Sequence, residues 1–263
     1  MTESGSTSEP YRTICVEVDA HIATITLNRP EALNAFNQTM LDEFARLWRT
    51  CRMEDDIRVV VLQAEGDTAF STGVDRKQGR FRHPNPWSED DPGFFLGAKQ
   101  NRVWKPLVCA VHGMVAGGAF YWLNEADVII CSDDATFFDP HTTYGMTSAL
   151  EPLGLLRRIP MGEVLRLALF GLDERMSSPR ALQIGLVSEV LPRAELRPRA
   201  RVLAERLAAK PPLAVQGTVK SIWDGYHMTV QGQREVPLLY PRLANPVSKL
   251  EMDEVEVPSF EIR

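Results

Sequence analysis

Three short runs of consecutive apolar, largely β-branched residues constrain the fold more than any other feature of the sequence. They are RVVVLQAEG at 58–66, PLVCAVHG at 106–113 and ADVIICSD at 126–133. A continuous apolar run of this length is typical of a strand that is covered on both faces, as in a parallel sheet. Because segments with helical spacing lie between the runs, the first two-thirds of the chain is predicted to be an α/β structure of repeated β-β-α units.

The N-terminal part of this region shows two further patterns. The segment YRTICVEVDAHIATITLN at 11–28 alternates apolar and polar residues around Asp19-Ala20, which predicts a β-hairpin with its turn there. The segment NQTMLDEFARLWRTCRM at 37–53 has apolar residues at helical spacing, and Asn37 is suited to cap the helix.

The pattern changes at Pro192, after which three successive segments are helical in spacing and none is typical of a strand. We therefore predict a core over 11–191 and a helical region over 192–263, whose apolar faces need a partner to cover them. The Ser-rich residues 1–10 are predicted to form a disordered tail, and the Pro-rich, charged residues 78–97 a long surface loop.

Composition excludes several classes of protein. The formal net charge of −6 and the pI near 5.5 argue against a nucleic-acid-binding protein, which needs a basic surface. The longest apolar stretch is interrupted by His112 and three glycines and is a poor membrane span, and the N-terminus does not resemble a signal peptide. Four scattered cysteines are interpreted as reduced thiols. A cytoplasmic protein is the expectation.

Four motifs occur in an order that points to a known family. They are ITLNRPEALNAFN at 25–37, AFSTGVDRK at 69–77, HGMVAGGAF at 112–120 and ALQIGLVSEVLP at 181–192. Each alone is weak evidence, but together and in this order the chain resembles the crotonase superfamily, the enoyl-CoA hydratase/isomerase family. The resemblance covers nearly the whole chain except the first ten residues and the final two dozen.

The resemblance implies a crotonase-like (ClpP/crotonase) spiral of β-β-α units and a C-terminal helical region that forms trimers, often paired into hexamers. It also implies an acyl-CoA thioester as ligand, with coenzyme A entering as part of the substrate, no separate cofactor and no metal. In such proteins two backbone N–H groups stabilise the negative oxygen of a thioester enolate. The matching donors here are Val74 and Gly118, and Val74 stands where the family usually carries alanine.

The resemblance also implies where coenzyme A is held. The matching substrate-binding residues are Arg29, Leu33, Ala35, Thr72, Asp75 and Gly117. Because coenzyme A carries phosphate charges, an acidic protein needs a local basic patch, which Arg29 and the group Arg76, Lys77, Arg80 and Arg82 are placed to provide. A solvated basic loop explains any one of these residues equally well. The C-terminal VEVPSFEIR lacks the lysines that end many family members.

The sequence departs from the family at its two catalytic glutamates. Tyr121 and His141 occupy these positions, so efficient hydration is not expected. His141 is the candidate base or acid, with Tyr121 and Glu151 as further catalytic candidates. A packing role for Tyr121, a turn role for His141 and a helix-start role for Glu151 remain open. Glu125, one helical turn after Tyr121, is not expected to reach the ligand.

Two functions follow from these residues. The first is an enzyme that stabilises a thioester enolate and performs isomerisation, hydrolysis or retro-Claisen cleavage. The alternative is a protein that binds acyl-CoA on the same fold without turning it over, which the missing glutamates favour. A weaker alternative is a structural oligomer whose pocket is blocked by Val74 and Phe120. The aromatic residues Trp87, Phe94 and Phe95 suggest an apolar acyl group.

Overall fold

The computed structural model describes residues 10–78, 85, 87, 91–244 and 260–262. The chain divides into two compact units, Met1–Ala209 and Lys210–Arg263. The predicted tail at 1–10 lies almost entirely outside the described residues, as do Arg80 and Arg82 of the predicted basic patch.

The first unit contains two sheets. The larger has the order β1-β2-β3-β5-β7-β10, with β1 and β2 antiparallel and every other neighbouring pair parallel. Its strands are β1 (Ile14–Asp19), β2 (Ile22–Leu27), β3 (Val59–Ala64), β5 (Leu107–Val111), β7 (Val128–Ser132) and β10 (Glu189–Leu191). The three apolar runs of the sequence form β3, β5 and β7, and all but two of their residues are buried, as predicted.

The smaller sheet has the order β4-β6-β8-β9, with β4, β6 and β8 parallel and β9 antiparallel. Its strands are β4 (Ala69–Ser71), β6 (Met114–Ala116), β8 (Thr136–Phe138) and β9 (Met176–Ser177). Three strands of the larger sheet are each followed by a strand of the smaller one, so β3 leads to β4, β5 to β6 and β7 to β8. This repetition is the predicted spiral of β-β units with intervening helices.

The helices of the first unit are α1 (Gln38–Met53), α2 (Gly93–Leu96), α3 (Phe120–Glu125), α4 (Leu150–Leu155), α5 (Met161–Phe170), α6 (Ser178–Gln183) and α7 (Arg193–Ala208). Helix α1 begins as predicted, because the Asn37 side chain accepts a hydrogen bond of 3.0 Å from Met40 N. Its buried face, with Phe44 and Trp48, packs against Trp122 of α3 in a core of large side chains.

The hairpin turn differs from the prediction by one residue. Asp19 pairs with Ile22, so the two-residue loop is Ala20-His21 rather than Asp19-Ala20. Both loop residues have positive φ, 48° and 66°, as a type I′ turn requires. Such turns favour asparagine and glycine, and their absence here removed the sequence signal that would have placed the turn.

Helix α7 packs on the outer face of the larger sheet. Its Leu196, Ala200 and Ala204 contact a cluster that includes Val59 and Val108. The sequence placed the division at 191/192, whereas the compact units divide at 209/210, because this amphipathic helix is held by the sheet. The small alanine side chains let the helix approach the strands closely.

The second unit is helical, as predicted, with α8 (Pro212–Tyr226), α9 (Val230–Glu235) and α10 (Leu239–Ala244), and no strand occurs among its described residues. Asp224 joins two of these helices, because it pairs with Lys220 at 2.7 Å and accepts a hydrogen bond from Tyr240. Large apolar side chains such as Ile222 and Leu243 are exposed. Over the ranges described, the chain forms no helix with the length and apolar character to cross a bilayer. The trimer-forming role of this region stays a prediction.

Candidate active site

Val74 and Gly118 lie on two loops that pack against each other. The contact of residues 73–74 with Phe36 and Gly118 is called the seam. Val74 forms a bridge with Phe36 in which Phe36 N donates to Gly73 O and Asp75 N donates to Phe36 O, each at 2.8 Å. In such a parallel bridge the N–H of Val74 itself points away from Phe36. Gly73 has φ of +82°, and a Cβ there would lie 2.6 Å from Gly118 N. The two predicted N–H donors are therefore brought close together.

Gly118 is required by a close contact and Gly117 is favoured by its backbone conformation. They begin a 3₁₀ turn, Gly117–Ala119, that runs directly into α3. A Cβ on Gly118 would lie 2.5 Å from Cε1 of Phe36, and Gly117 has a positive φ of 52°. A Cβ on Gly117 would lie 3.8 Å from Cε1 of His141. The glycine pair thus places the N-terminus of α3 beside the imidazole that the sequence selected.

His141 is oriented by Asp139, which is fully buried at the end of β8. Asp139 contacts Nδ1 of His141, accepts from its backbone N at 3.1 Å, and accepts a hydrogen bond from the Ser148 hydroxyl. A carboxylate only accepts, so the imidazole carries a proton on Nδ1. Nε2 of His141 is therefore the atom presented for chemistry.

The interactions of this pair favour an ionised Asp139 and a protonated His141. Burial alone would raise the pKa of Asp139, but the hydrogen bonds from His141 and Ser148 together outweigh it and lower the pKa below its usual value. The hydrogen bond to Asp139 raises the pKa of His141 above its usual value, against the opposing effect of burial. An imidazole of this kind holds and releases a proton near neutral pH.

Glu151 lies on the other side of the imidazole, in the first turn of α4. Its Oε1 is 3.8 Å from Nε2 of His141, which is beyond hydrogen-bond distance but close enough for both groups to contact the same reacting group. The side chain of Asn124 donates to the Glu151 backbone carbonyl at 2.9 Å and fixes the start of the helix. Burial raises the pKa of Glu151, which favours its protonated form.

Tyr121 is brought to the same place, but its hydroxyl is already engaged. It donates to Oδ2 of Asp91 at 3.0 Å, while Asp91 Oδ1 accepts from Gly93 N at 2.8 Å. A Cβ on Gly93 would lie 2.8 Å from the Tyr121 ring, so α2 is seated on that ring. Burial, with Glu151 and Asp91 nearby, raises the pKa of Tyr121 and keeps the phenol protonated.

Asp91 and Ser148 are the residues that sequence reasoning missed. Asp91 stands two residues before a glycine that begins a short helix, a pattern that indicates a local turn but gives no sign of the distant partner Tyr121. Ser148 is a lone hydroxyl in an irregular segment, and no sequence signal identifies it. Three acidic side chains, those of Asp91, Asp139 and Glu151, therefore surround the site.

Glu125 has its carboxylate engaged by backbone N–H groups. Its carboxylate accepts hydrogen bonds from the backbone N of Lys99 at 2.6 Å and of Gln100 at 3.0 Å. A Cβ on Gly97 would lie 2.4 Å from the same carboxylate. Glu125 therefore holds the segment after α2 in place and does not face His141.

Five of the predicted coenzyme A residues lie on two segments, 29–35 and 72–75, that are joined by hydrogen bonds and are together called the braced loop. Arg29 pairs with Asp75 at 2.8 Å and donates to Ala35 O. Thr72 N donates to Leu33 O at 3.2 Å, and Leu33 itself has a positive φ of 52°. The structure brings these five residues together, but the Arg29 charge is neutralised by Asp75 within the loop.

The remaining candidates are one basic residue, Arg76, and the aromatic residues Trp87, Phe94 and Phe95. Arg76 stacks over the ring of Tyr144, 3.9 Å from its centroid. Trp87 is 94 % exposed and Phe94 53 % exposed, while Phe95 packs partly against the core. The seam, by contrast, has Phe36 packed edge-on against Tyr121, with ring centroids 6.4 Å apart.

The fold and these motifs define a class of protein. Comparison with known proteins identifies this class. Residues 17–239 match the family model described as Enoyl-CoA hydratase/isomerase. The chain belongs to this family, within the crotonase superfamily.

Characterised relatives cover most of the chain. It is 32% identical over 224 residues to (E)-benzylidenesuccinyl-CoA hydratase of Thauera aromatica, covering 83% of this chain and 85% of the relative. It is 33% identical over 198 residues to carnitinyl-CoA dehydratase of Escherichia coli K12, covering 74% of each. A solved enoyl-CoA hydratase/isomerase from Mycobacterium paratuberculosis superposes with a TM-score of 0.83 at 32% identity, covering 93% of this chain and 94% of the other.

Proposed function

We propose that the chain is an acyl-CoA-handling enzyme that forms a thioester enolate and moves protons with His141. The observation that carries the proposal is the pairing of the half-buried His141 with the buried Asp139, in which Nε2 of His141 lies 3.8 Å from Glu151 and beside the glycine pair. A carboxylate-oriented imidazole next to backbone N–H donors is the arrangement that base-catalysed chemistry at an activated carbonyl requires.

Each residue then has a distinct role. The N–H groups of Val74 and Gly118 donate to the thioester oxygen as charge develops on it. Nε2 of His141 removes the proton from the carbon beside the carbonyl, and Asp139 stabilises the resulting imidazolium. Glu151, whose raised pKa favours a protonated carboxyl, returns a proton at a second carbon or to a leaving group. With two proton carriers, His141 and Glu151, the site suits isomerisation. The same two groups are also suited to activating water for hydrolysis of a carbon–carbon bond.

Recognition of coenzyme A is assigned to the braced loop. Leu33, Ala35 and Thr72 offer backbone groups, with Gly117 at the reacting end, while Arg29 and Asp75 hold the loop in shape. Lys77 is exposed next to this loop and is the described residue best placed to meet a phosphate. Removing Lys77 is expected to raise KM without a comparable change in kcat, because it acts away from the reacting atoms.

The experiment is a panel of acyl-CoA thioesters that includes unsaturated, 3-hydroxy and β-keto acyl groups, followed by mass spectrometry. The two curated relatives are named as a hydratase and a dehydratase, so water addition and elimination are monitored together with isomerisation and cleavage. For the best substrate, His141→Ala is expected to lower kcat/KM by about 10²–10⁴-fold. Full turnover in this variant would remove His141 from the reaction.

A second candidate is an acyl-CoA-binding protein without turnover. The engagement of the Tyr121 hydroxyl by Asp91 favours it, since that position then offers no free acid. Binding of CoA thioesters in calorimetry with no product after long incubation across the panel would establish this function. Detectable turnover that depends on His141 would eliminate it.

We also propose that the chain self-associates, as a trimer or a dimer of trimers. An apolar groove of about 550 Å³ runs between α4 and α5, and its walls include the exposed residues Leu153, Leu165 and Leu169. Exposed apolar surface of this kind is typical of an interface. Leu169→Asp is expected to reduce the molar mass measured by sedimentation, and an unchanged mass would place the interface elsewhere.

A further inference from the structure

A polar cavity of about 240 Å³ lies at the carboxyl ends of β3 and β5, where the N-terminus of α7 meets the larger sheet. Its walls include His112, Arg193 and Arg197, and Glu65 lies at its edge. None of its lining residues belongs to the site around His141. The cavity is therefore a separate feature of the first unit.

His112 is the unusual member of this wall. The residue is only 3 % exposed, and its Nε2 is buried without a hydrogen-bond partner among the described residues. Buried polar atoms are almost always paired with protein, water or ligand. Within the described part of the chain, Nε2 of His112 is therefore an unsatisfied polar atom in the wall of this cavity.

The cations beside His112 indicate the chemistry of that partner. Arg193 Nη2 donates to Gly66 O at 2.9 Å, and Arg197 Nη2 donates to Ala64 O at 2.7 Å, so both guanidinium groups are anchored to the ends of the sheet. A guanidinium has five N–H donors, and these anchors use only part of that capacity. The first turn of α7 has no side-chain cap, and its dipole favours negative charge.

Carboxylates also face this group and must be counted. Glu65 lies 3.1 Å from Arg197, and Arg193 lies 3.4 Å from Asp134 and 3.9 Å from Asp67. These pairs are largely exposed, and Asp67 extends fully into solvent. Exposed pairs contribute little, so a multiply charged ligand displaces them at small cost.

We propose that this cavity binds a small oxyanion, with Arg193 and Arg197 donating to its oxygens and Nε2–H of His112 completing its coordination. A tetrahedral dianion such as sulfate or phosphate and a carboxylate share this chemistry. The tetrahedral dianion fits three donors that converge from two elements, whereas a carboxylate satisfies one guanidinium in a planar fork. The site goes beyond the proposed activity and does not depend on it.

The test uses the imidazole signals of His112 in heteronuclear NMR of the full chain, assigned by their loss in His112→Gln. Sulfate is the primary probe because its charge is constant across the pH range used, and acetate is the comparison. Saturable shifts of the His112 signals with sulfate and weaker ones with acetate identify a tetrahedral site. Stronger binding of acetate assigns the site to carboxylates. The absence of saturable shifts with either probe overturns the proposal.

Three variants on the same surface sharpen the result. Arg197→Gln is expected to weaken sulfate binding by about fivefold, because it removes one donor. Glu65→Gln is expected to strengthen it by about twofold, because it removes a competing carboxylate. Arg201→Gln is the matched control, since Arg201 lies one turn further along α7 and pairs with Asp19 and Glu205 instead. Equal weakening by Arg201→Gln and Arg197→Gln would show a general charge effect and contradict a site.

Discussion

Two histidines in the first unit, the buried His112 and the half-buried His141, have opposite surroundings. His141 has an acidic residue on each side, Asp139 at Nδ1 and Glu151 at 3.8 Å from Nε2. His112 has Arg193 and Arg197 beside it. The hydrogen bond to Asp139 raises the pKa of His141, while burial, helped by Arg193, lowers the pKa of His112 to about 4. The two side chains are chemically identical, so their environment alone decides which one carries a proton.

This contrast explains why only one of them is suited to acid–base chemistry. A base must accept a proton near neutral pH and have its acceptor atom open to the reacting group. His141 satisfies both conditions, since Asp139 occupies Nδ1 and leaves Nε2 facing a gap. His112 stays neutral across the physiological range, and its role is limited to donating or accepting a hydrogen bond. A histidine in a pocket is therefore evidence of catalysis only when it is considered together with its charged neighbours.

The largest effect in this comparison is expected from Asp139→Asn. The amide keeps an acceptor oxygen but loses the negative charge, so the imidazolium is no longer stabilised and its tautomer is no longer fixed. We expect kcat/KM for the best thioester to fall by about 10²–10⁴-fold, with the limb of the pH–rate profile that reports His141 moved to lower pH. Asp55→Asn, the same change at an exposed position, is the control. A variant with normal activity and an unmoved pH profile would show that Asp139 only holds the fold.

The next effect is on stability in acid. Because the pKa of His112 is about 4 in the folded chain and 6.5 in the unfolded chain, protonation favours the unfolded state, and stability is lost as pH falls from 6.5 through 4. The loss amounts to about 3 kcal/mol at full protonation. His112→Gln removes this loss. The free energy of unfolding of the variant should therefore rise relative to that of the wild type as pH falls over this range. Urea unfolding between pH 7 and pH 4, in buffer without sulfate or phosphate, measures the gain. Parallel curves for the two proteins would mean that His112 does not titrate abnormally.

The fold was readable from sequence to a large extent because local patterns determine it. The apolar runs at β3, β5 and β7 can only be strands covered on both faces, and Asn37 begins α1 as its side chain predicts. The sequence predicted a helix at α7, but not that the helix packs against the larger sheet. Spacing identifies an apolar face without naming the surface that covers it, and here that surface is the outer face of the larger sheet.

The candidate site was only partly predictable. Val74 and Gly118 follow from the motifs, and His141 from the family position that it occupies. The structure places the residue before Val74 against Gly118, and His141 beside Gly117. Asp91 could not be found, because its contact with Tyr121 joins positions thirty residues apart through a short helix that no motif marks. No local pattern predicted that Arg193 and Arg197 would lie beside His112. Long-range pairing of charged side chains is set by tertiary structure, so it leaves little trace in local sequence.

A smaller effect is expected at Tyr121. Its hydroxyl donates to Asp91 and its ring supports Gly93, so the phenol positions α2 rather than transferring a proton. Tyr121→Phe keeps the ring, and we expect less than about a tenfold loss in kcat/KM. Asp91→Asn should give a similar loss, because it weakens the same hydrogen bond from the other side. A loss of about 10²-fold or more in Tyr121→Phe alone would instead make the hydroxyl a catalytic acid.

The smallest effect is the contribution of the Asp139–His141 pair to stability, and its sign is opposite to that of His112. The pKa of His141 is raised in the folded chain, so its contribution is fully present below its unfolded value of 6.5 and is lost as pH rises through the raised value. The lowered pKa of Asp139 adds a contribution that is present above 3.8 and is lost in stronger acid. The pair therefore stabilises most between about pH 4 and pH 6.5, and His141→Gln should cost about 1 kcal/mol there and less at pH 9. Urea unfolding at these pH values, run beside His112→Gln, should give curves that diverge from the wild type in opposite directions as pH falls. Divergence in the same direction would mean that burial, and not the neighbouring charges, governs both histidines.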